Sequence, residues 1–454
     1  MPRAPAADAV APSGSALFAD RDKLRSQLLY NGVERRISRN LQGTRQPDFM
    51  SQLDADTSAA PASAHRPGEL AALRVDGHDL TVFEESPPLI AAMLDDIERA
   101  RRRVWLESYI VADDDAGRAV AEAMKRRAAA GADCRLMYDA VGSSGTPSAF
   151  FRELARGGVQ VEAYRSLWQS LWKFRSLRVF NRRDHRKLLV IDDQVAYFGG
   201  MNIVDQSGIH TVEQAHARRL PASAGWRDVH VRLRGPQQRE VAEAFERLWR
   251  AARGTMARPW PRWPIRQMLS APGERIWFFD CRPQFKHRRP TRVLVPLLRR
   301  ARRTVTLSMA YFIPQGRVLR ELLRASRRGV KVRVIIPGKS DVPVVEWATR
   351  HFYEKLLKRG IHIYERKDQM LHSKVLQIDD AWTVIGSCNL DPRSLWLNLE
   401  FFAVFHSRAM AAVVRRICRY ELRNSRRVSL ADCLGRPWWQ RLRDRLAWAM
   451  RRWL

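Results

Sequence analysis

From residue 68 to about residue 430 the chain interleaves two patterns of apolar positions. Short apolar runs bounded by polar or glycine-containing turns predict strands, and longer stretches with apolar residues at three- and four-residue spacing predict amphipathic helices. Read in order, the series occurs twice. Residues 102–110 and 302–312 each form an apolar run ending at a tyrosine, Tyr109 or Tyr311. Helical stretches follow at 117–130 and 315–328, closed by Gly131 and Gly329, because glycine leaves a helix most easily. Strands are then expected at 133–140 and 331–337, and at 159–164 and 361–365. A strand bearing a polar motif comes next, then 195–198 and 382–385. Each series closes with one more strand and a helix: 230–233 with 238–250, and 400–405 with 409–422. Strands alternating with helices predict an α/β sandwich, made twice.

Outside the repeat the pattern changes. Residues 1–67 are rich in Ala, Pro, Ser and Asp, most densely at 54–67, and are expected to be a flexible arm with a short basic helix around 22–36. The run Arg258-Pro-Trp-Pro-Arg-Trp-Pro264 argues against regular structure. The predicted organisation is an arm (1–67), a first half (68–256), a connector (257–273), a second half (274–430) and a basic amphipathic C-terminal helix (431–454). On a helical projection Trp438, Trp439, Leu442, Leu446, Ala449, Met450 and Trp453 fall within an arc of about 120°. Arg441, Arg445, Arg451 and Arg452 lie on the other side. Such a helix suits an anionic lipid surface, or packs on the domain with its arginines solvated.

Composition narrows what this fold can meet. A chain of 454 residues with 45% hydrophobic content can bury a substantial core in two domain-sized units. The formal net charge of +32 favours an anionic partner, nucleic acid or membrane surface, without choosing between them; codon bias alone can also enrich arginine. Cys134, Cys281, Cys388, Cys418 and Cys433 are scattered, odd in number and form no CxxC pair. Neither a disulfide framework nor a zinc site is expected, and a reducing cytosolic setting is. Met1-Pro-Arg-Ala-Pro5 lacks the apolar core of a signal peptide, and no uninterrupted apolar run reaches the ~18 residues that span a bilayer. A membrane, if involved, is expected to be met at its surface.

The chemistry resides in the repeated polar motif. His185-Arg-Lys187-Leu-Leu-Val-Ile-Asp192 and His372-Ser-Lys374-Val-Leu-Gln-Ile-Asp379 both read H-x-K-x4-D. Each continues into a small-residue turn ending in asparagine, Gly199-Gly-Met-Asn202 and Gly386-Ser-Cys-Asn389. One such motif can arise by chance; two at matching points of a repeat imply one site assembled from two copies. On a strand, His and Lys two residues apart share a face, while Arg186 or Ser373 points away. An imidazole beside an ammonium suits a phosphoryl group. The lysine neutralises non-bridging oxygens while the histidine attacks phosphorus or moves a proton. Asn202 and Asn389 offer amide donors, and the small residues before them permit close backbone approach. Asp192 and Asp379, on the opposite parity, are expected to order local structure. A nucleophilic histidine also needs a carboxylate to fix its tautomer. Each half contains one, Asp228 in Trp226-Arg-Asp228 and Glu400 in Asn398-Leu-Glu400, and spacing leaves open which histidine each serves.

The duplicated motif and its tail resemble the signature of the phospholipase D superfamily, over residue 68 to the C-terminus. The resemblance implies two pseudo-symmetric phospholipase D-type α/β sandwich halves sharing one active site at their interface. It implies a covalent phosphohistidine on one histidine, proton transfer by the other, and neither metal nor other cofactor. It makes His185 and His372 the catalytic pair, with Lys187, Lys374, Asn202 and Asn389 holding phosphate. The site expected from both readings is thus His185, Lys187, Asp192, His372, Lys374 and Asp379 as the catalytic set, with Asn202, Asn389, Asp228 and Glu400 at the substrate. Precedent in that superfamily favours His185 as the nucleophile.

Further residues turn the substrate towards lipid. The stretch from Gly386 to Glu400, Trp226-Arg-Asp228, Gly235-Pro236 and Ala310-Tyr-Phe-Ile-Pro314 are similar to bacterial cardiolipin synthases. The B type, which lacks N-terminal transmembrane helices, is the nearer resemblance, although the arm at 1–67 departs from it. DNA-repair phosphodiesterases of the superfamily typically lack the motif aspartate, which both copies here retain. The aromatic and basic run from Leu167 to Arg175 could form a lip in the headgroup region or stack single-stranded bases. The activity expected is transfer of a phosphatidyl group from phosphatidylglycerol to a second phospholipid hydroxyl; the alternatives are phospholipase D hydrolysis or, less favoured, a nuclease. The expected partner is an anionic phospholipid membrane (phosphatidylglycerol, cardiolipin), met peripherally on the cytoplasmic face of the bacterial cell membrane, with nucleic acid disfavoured.

Overall fold

The computed structural model describes residues 71–164, 182–205, 225–254, 263–282 and 285–451; the arm at 1–67 and the run 167–175 lie outside them. The first sheet contains β1 (Ala71–Val75), β2 (His78–Phe83), β3 (Arg103–Ser108), β4 (Asp133–Asp139), β5 (Gln160–Tyr164), β6 (Leu188–Ile191), β7 (Val195–Gly199) and β8 (His230–Arg234). Their order is β1-β2-β8-β7-β6-β3-β4-β5. The second sheet contains β9 (Arg275–Cys281), β10 (Thr304–Met309), β11 (Lys331–Pro337), β12 (His362–Arg366), β13 (Lys374–Ile378), β14 (Trp382–Gly386), β15 (Glu400–His406) and β16 (Ser425–Arg427). Its order is β16-β12-β11-β10-β13-β14-β15-β9. Outward from the motif strands β6 and β13 the two orders correspond. Parallel strands β3-β4-β5 and β10-β11-β12 lie on one side, antiparallel β7-β8-β2 and β14-β15-β9 on the other. The repeat in the sequence is thus a repeat of topology, and the chain is α/β with two similar halves.

Helices α1 (Ser86–Glu98), α2 (Asp115–Ala129), α3 (Ser148–Arg156) and α4 (Gln238–Ala252) accompany the first sheet. Helices α5 (Ile265–Ser270), α6 (Thr291–Arg300), α7 (Gly316–Arg327), α8 (Pro343–Arg350), α9 (Tyr353–Leu357), α10 (Pro392–Trp396), α11 (Arg408–Arg423), α12 (Leu430–Leu434) and α13 (Trp438–Ala449) accompany the second. The expected glycine stops hold: Gly131 and Gly329 sit after α2 and α7 with φ of 90° and 85°, a conformation an L side chain rarely takes. One outer core packs α1 and α2 on the first sheet through Leu89, Ile97, Val120 and Met124. Another packs α6 and α7 on the second through Leu294, Leu298, Leu319 and Leu322. A third joins the halves, where Phe198 of β7 meets Phe278, Phe401 and Phe405 at ring-centroid distances of 5.3, 6.2 and 6.4 Å. With both faces covered, β6 is buried at every position, which is why it reads as an unbroken apolar run.

Several elements escape the periodicity. Helix α1 begins Ser86-Pro-Pro, which reads as a loop, yet proline is compatible with the first helical turn. Helix α6 carries Pro296 in its interior, and α5 forms inside the stretch expected to be an irregular connector. The single helix expected at 431–454 is two, α12 and α13, parted at Gly435-Arg-Pro437. Among the described residues no helix is long and apolar enough to cross a membrane.

Candidate active site

The two motifs enter the site as extended lead-ins, since β6 starts at Leu188 and β13 at Lys374. Each lead-in pairs with the opposite half. Asp184 bridges Leu399 and Arg227 bridges Leu371, both in parallel. The His185 N–H donates to the Leu399 carbonyl (3.0 Å), and the His372 N–H to the Arg227 carbonyl (2.7 Å). Glu400 and Asp228 directly follow those carbonyls, so the carboxylates are delivered across the interface. His185 Nδ1 lies 3.0 Å from Glu400 Oε2, and His372 Nδ1 lies 2.7 Å from Asp228 Oδ2. Each carboxylate therefore meets the histidine of the other half.

Lys187 Nζ donates to the His185 carbonyl (2.8 Å) and lies 5.3 Å from the centre of the Tyr109 ring, which stands edge-on to His185 at 5.1 Å. Lys374 Nζ lies 3.3 Å from Asp228 Oδ2 and 2.7 Å from His372 Nδ1, and also contacts the His372 carbonyl. Tyr311 and Trp226 flank His372 at 6.3 and 5.3 Å. Asn202 Oδ1 accepts the Ile110 N–H (3.3 Å) and Asn389 Oδ1 the Tyr311 N–H (3.4 Å), which leaves each amide nitrogen as the group to offer a ligand. The small turn residues have distinct uses. A Cβ on Gly200 would fall 2.1 Å from Asp228 Oδ1, so glycine makes room for that carboxylate. At the corresponding place Ser387 donates its hydroxyl to Glu400 Oε2. One copy holds its carboxylate by leaving space, the other by a hydroxyl.

Two members of the expected catalytic set are elsewhere. Asp192 and Asp379 lie past the far ends of β6 and β13, on the order of 15 Å along an extended chain from the lysines. Both have left-handed φ, 50° and 52°. Asp192 accepts the N–H groups of Arg101, Arg102 and Arg103, and Asp379 those of Arg302, Arg303 and Thr304. Their catalytic assignment is corrected accordingly: they tie a strand end to its neighbour, as their parity suggests.

Burial sets the electrostatics. It holds His185 well below the usual imidazole range, with the Lys187 and Lys374 charges adding to the effect. His372 is held down by burial and by Lys374, against the opposing influence of Asp228. Burial and then Lys374 bring Lys187 down to about 7. Burial raises Glu400 to about 8. Burial pushes Asp228 the same way, but the Lys374 charge and the bond to His372 outweigh it, and its carboxyl stays below the usual range. The result is one neutral imidazole beside a carboxyl that takes up a proton readily, and a second imidazole beside an ionised carboxylate. Among the described residues no group of three or more His, Cys, Asp or Glu side chains is placed to hold a metal.

Residues with no assigned role in the sequence reading pin the interface beneath the site. Arg186, fully buried, donates to Glu107 (2.5 and 2.9 Å) and, across the interface, to Asp280 (3.1 Å). Arg227 donates to Glu84, to Glu85 (2.7 Å) and, across the interface, to Glu421 (3.0 Å). A signal for both existed: an arginine at the inward-turned position of H-x-K and one preceding the carboxylate in Trp226-Arg-Asp228.

The family described as "Cardiolipin synthase, PLD-like domain" matches residues 93–217 and 294–420, one stretch in each half. The chain is 31% identical over 374 residues to cardiolipin synthase B of Salmonella typhi, covering 82% of this chain and 87% of that one. It is 31% identical over 380 residues to cardiolipin synthase A of Escherichia coli (strain K12 / DH10B), covering 82% and 75%. Among solved structures, the phosphatidylserine synthase of Haemophilus influenzae Rd KW20 aligns over 85% of this chain and 97% of its own, with a TM-score of 0.57 at 11% identity, a likeness of fold.

Proposed function

This chain belongs to the family of PLD-like cardiolipin synthases, and from that premise we propose that it is a phosphatidyltransferase that makes cardiolipin from phosphatidylglycerol through a phosphohistidine. The observation that carries the reading is the crossed pair of histidine–carboxylate contacts, 3.0 and 2.7 Å, with a lysine beside each histidine. A carboxylate on Nδ1 leaves Nε2 of each ring for substrate. His185, neutral at physiological pH, attacks the phosphorus of phosphatidylglycerol through Nε2; a P–N bond forms as the P–O bond to glycerol breaks. The fraction of His372 present as imidazolium, which the ionised Asp228 favours against burial and the Lys374 charge, donates its proton to the departing glycerol oxygen. His372 then takes the proton of a second lipid's glycerol hydroxyl, that oxygen attacks phosphorus, and His185 leaves. Lys187, Lys374, Asn202 and Asn389 hold the non-bridging oxygens. The bond made resembles the bond broken, so no nucleotide is needed. Water must be kept from competing as acceptor, which a pocket mouth held against a bilayer would favour. The protein would work peripherally on the cytoplasmic face of a bacterial membrane; the five free, buried thiols support a reducing compartment.

Purified protein incubated with phosphatidylglycerol vesicles is expected to yield cardiolipin and glycerol, and His185→Ala and His372→Ala are each expected to abolish this. Phosphatidic acid without cardiolipin would reassign the protein as a hydrolase, and cleavage of single-stranded DNA with lipid untouched would make it a nuclease.

A further inference from the structure

Ten large apolar side chains are exposed among the described residues, and five are on α13 and its C-cap: Trp438, Trp439, Leu442, Leu446 and Met450, at 70%, 51%, 47%, 58% and 54%. An apolar patch of this kind on a soluble surface marks an interaction site. The helix is firmly seated through its opposite face. Asp444, buried, pairs with Arg436 (2.7 Å) and Arg443 (3.3 Å). Ala447 is buried beside it, and Trp448 stacks on His351 at 4.7 Å. Arg443 lies 4.6 Å from the Trp347 ring of α8. These contacts hold the apolar arc outward. The exposed Arg441 and Arg445, expected on the other side, lie outside the arc but not opposite it and border it within about 60° on the helical projection.

The arc is also joined to the site. Helix α8 follows directly on Ser340-Asp341-Val342, where Asp341 accepts the Tyr311 hydroxyl at 2.7 Å and Tyr311 flanks His372. Val342 is itself 37% exposed, and Trp396, 38% exposed, ends the helix that precedes Glu400. We propose that the α13 arc is the protein's seat on an anionic phospholipid bilayer. The five apolar side chains enter the boundary between headgroups and acyl chains, and Arg441 and Arg445 meet lipid phosphates. The α8–α13 pair then holds the mouth of the site at the surface. Charge complementarity selects this occupant, since a chain of net charge +32 is drawn to an anionic surface. Leu442, Leu446 and Met450 have no ring to stack on a base, which disfavours nucleic acid. The effect on turnover rests on the lipid reading of the site; the binding does not.

The test is cosedimentation of the full chain with phosphatidylglycerol-containing vesicles and with phosphatidylcholine-only vesicles. The triple variant Trp438→Ser/Leu442→Ser/Leu446→Ser changes exposed positions, and a thermal melt checks that it is folded. Wild type is expected to prefer the anionic vesicles. The triple variant is expected to bind them about tenfold more weakly or worse, while keeping its turnover of short-chain phosphatidylglycerol dispersed as monomers. Arg441→Gln/Arg445→Gln is expected to weaken binding to the anionic vesicles alone. Undiminished vesicle binding by the triple variant overturns the proposal. So does a wild type that self-associates through the arc, with a monomeric variant whose vesicle binding is unchanged. If the variant loses binding and neither protein makes cardiolipin, the seat stands and the activity reading falls.

Discussion

Lys187 and Lys374 hold the same place in their motifs and meet different partners. Lys374 is 3.3 Å from the ionised Asp228, whereas Lys187 faces Glu400, which burial raises to about 8, and the π-face of Tyr109. Burial and the neighbouring Lys374 charge lower Lys187 from 10.5 to about 7. A lysine is cationic below its pKa, so its charge is lost as pH rises through that value. The free enzyme is therefore expected to lose kcat/KM on a basic limb near pH 7. A bound phosphodiester stabilises the ammonium, so the corresponding limb of kcat is expected at higher pH. Lys187→Met should remove the limb near pH 7, leaving the loss of the His372 imidazolium at lower pH, and cost on the order of a hundredfold or more in kcat. A kcat/KM profile flat to pH 10, in an enzyme that still needs Lys187, would contradict this assignment.

Among the elements, β6 and β13 separate chemistry from structure along their own length, with histidine and lysine at the entrance and aspartate past the exit. Asp192 accepts three backbone N–H groups from a left-handed turn, which aspartate tolerates better than most residues. Asp192→Ala is expected to lower stability by about 1–2 kcal/mol while turnover per folded molecule is retained. A variant as stable as wild type and without activity would restore Asp192 to the chemistry. The sequence made this division visible, because parity alone places Asp192 and Lys187 on opposite faces. It also revealed the motif strands, the paired tyrosines and the glycine stops, all products of local pattern. It could not reveal that His185 meets Glu400 and His372 meets Asp228, contacts spanning 215 and 144 positions, since no spacing rule reaches across two sheets. Helix α13 shows the same limit. Periodicity defines its apolar arc, but which side faces the protein depends on Asp444, a polar residue buried because Arg436 and Arg443 pair with it.

For the whole molecule, a site fed from both halves requires that the halves keep their register, and the buried arginines supply the means. Arg227 reaches Glu84 and Glu85 on the first half and Glu421 on the second, and its carbonyl accepts the His372 N–H at 2.7 Å. Glu421 in turn accepts from Arg366 at 2.7 Å. A buried network of this kind need not stabilise the fold more than an apolar substitute would, but removing one member leaves charges unpaired in the interior. Arg227→Met is therefore expected to lower unfolding free energy by about 3–5 kcal/mol. Arg227→Lys should recover little of it, because a single ammonium cannot serve three carboxylates as a guanidinium does. The catalytic loss should exceed the loss of folded protein, since displacement at residue 227 moves both the Asp228 carboxylate and the backbone that anchors His372. Denaturant unfolding and turnover measured per folded molecule separate the two effects. If both variants unfold like wild type, the network does not hold the halves in register; if they unfold early with turnover per folded molecule intact, it holds the fold without positioning His372.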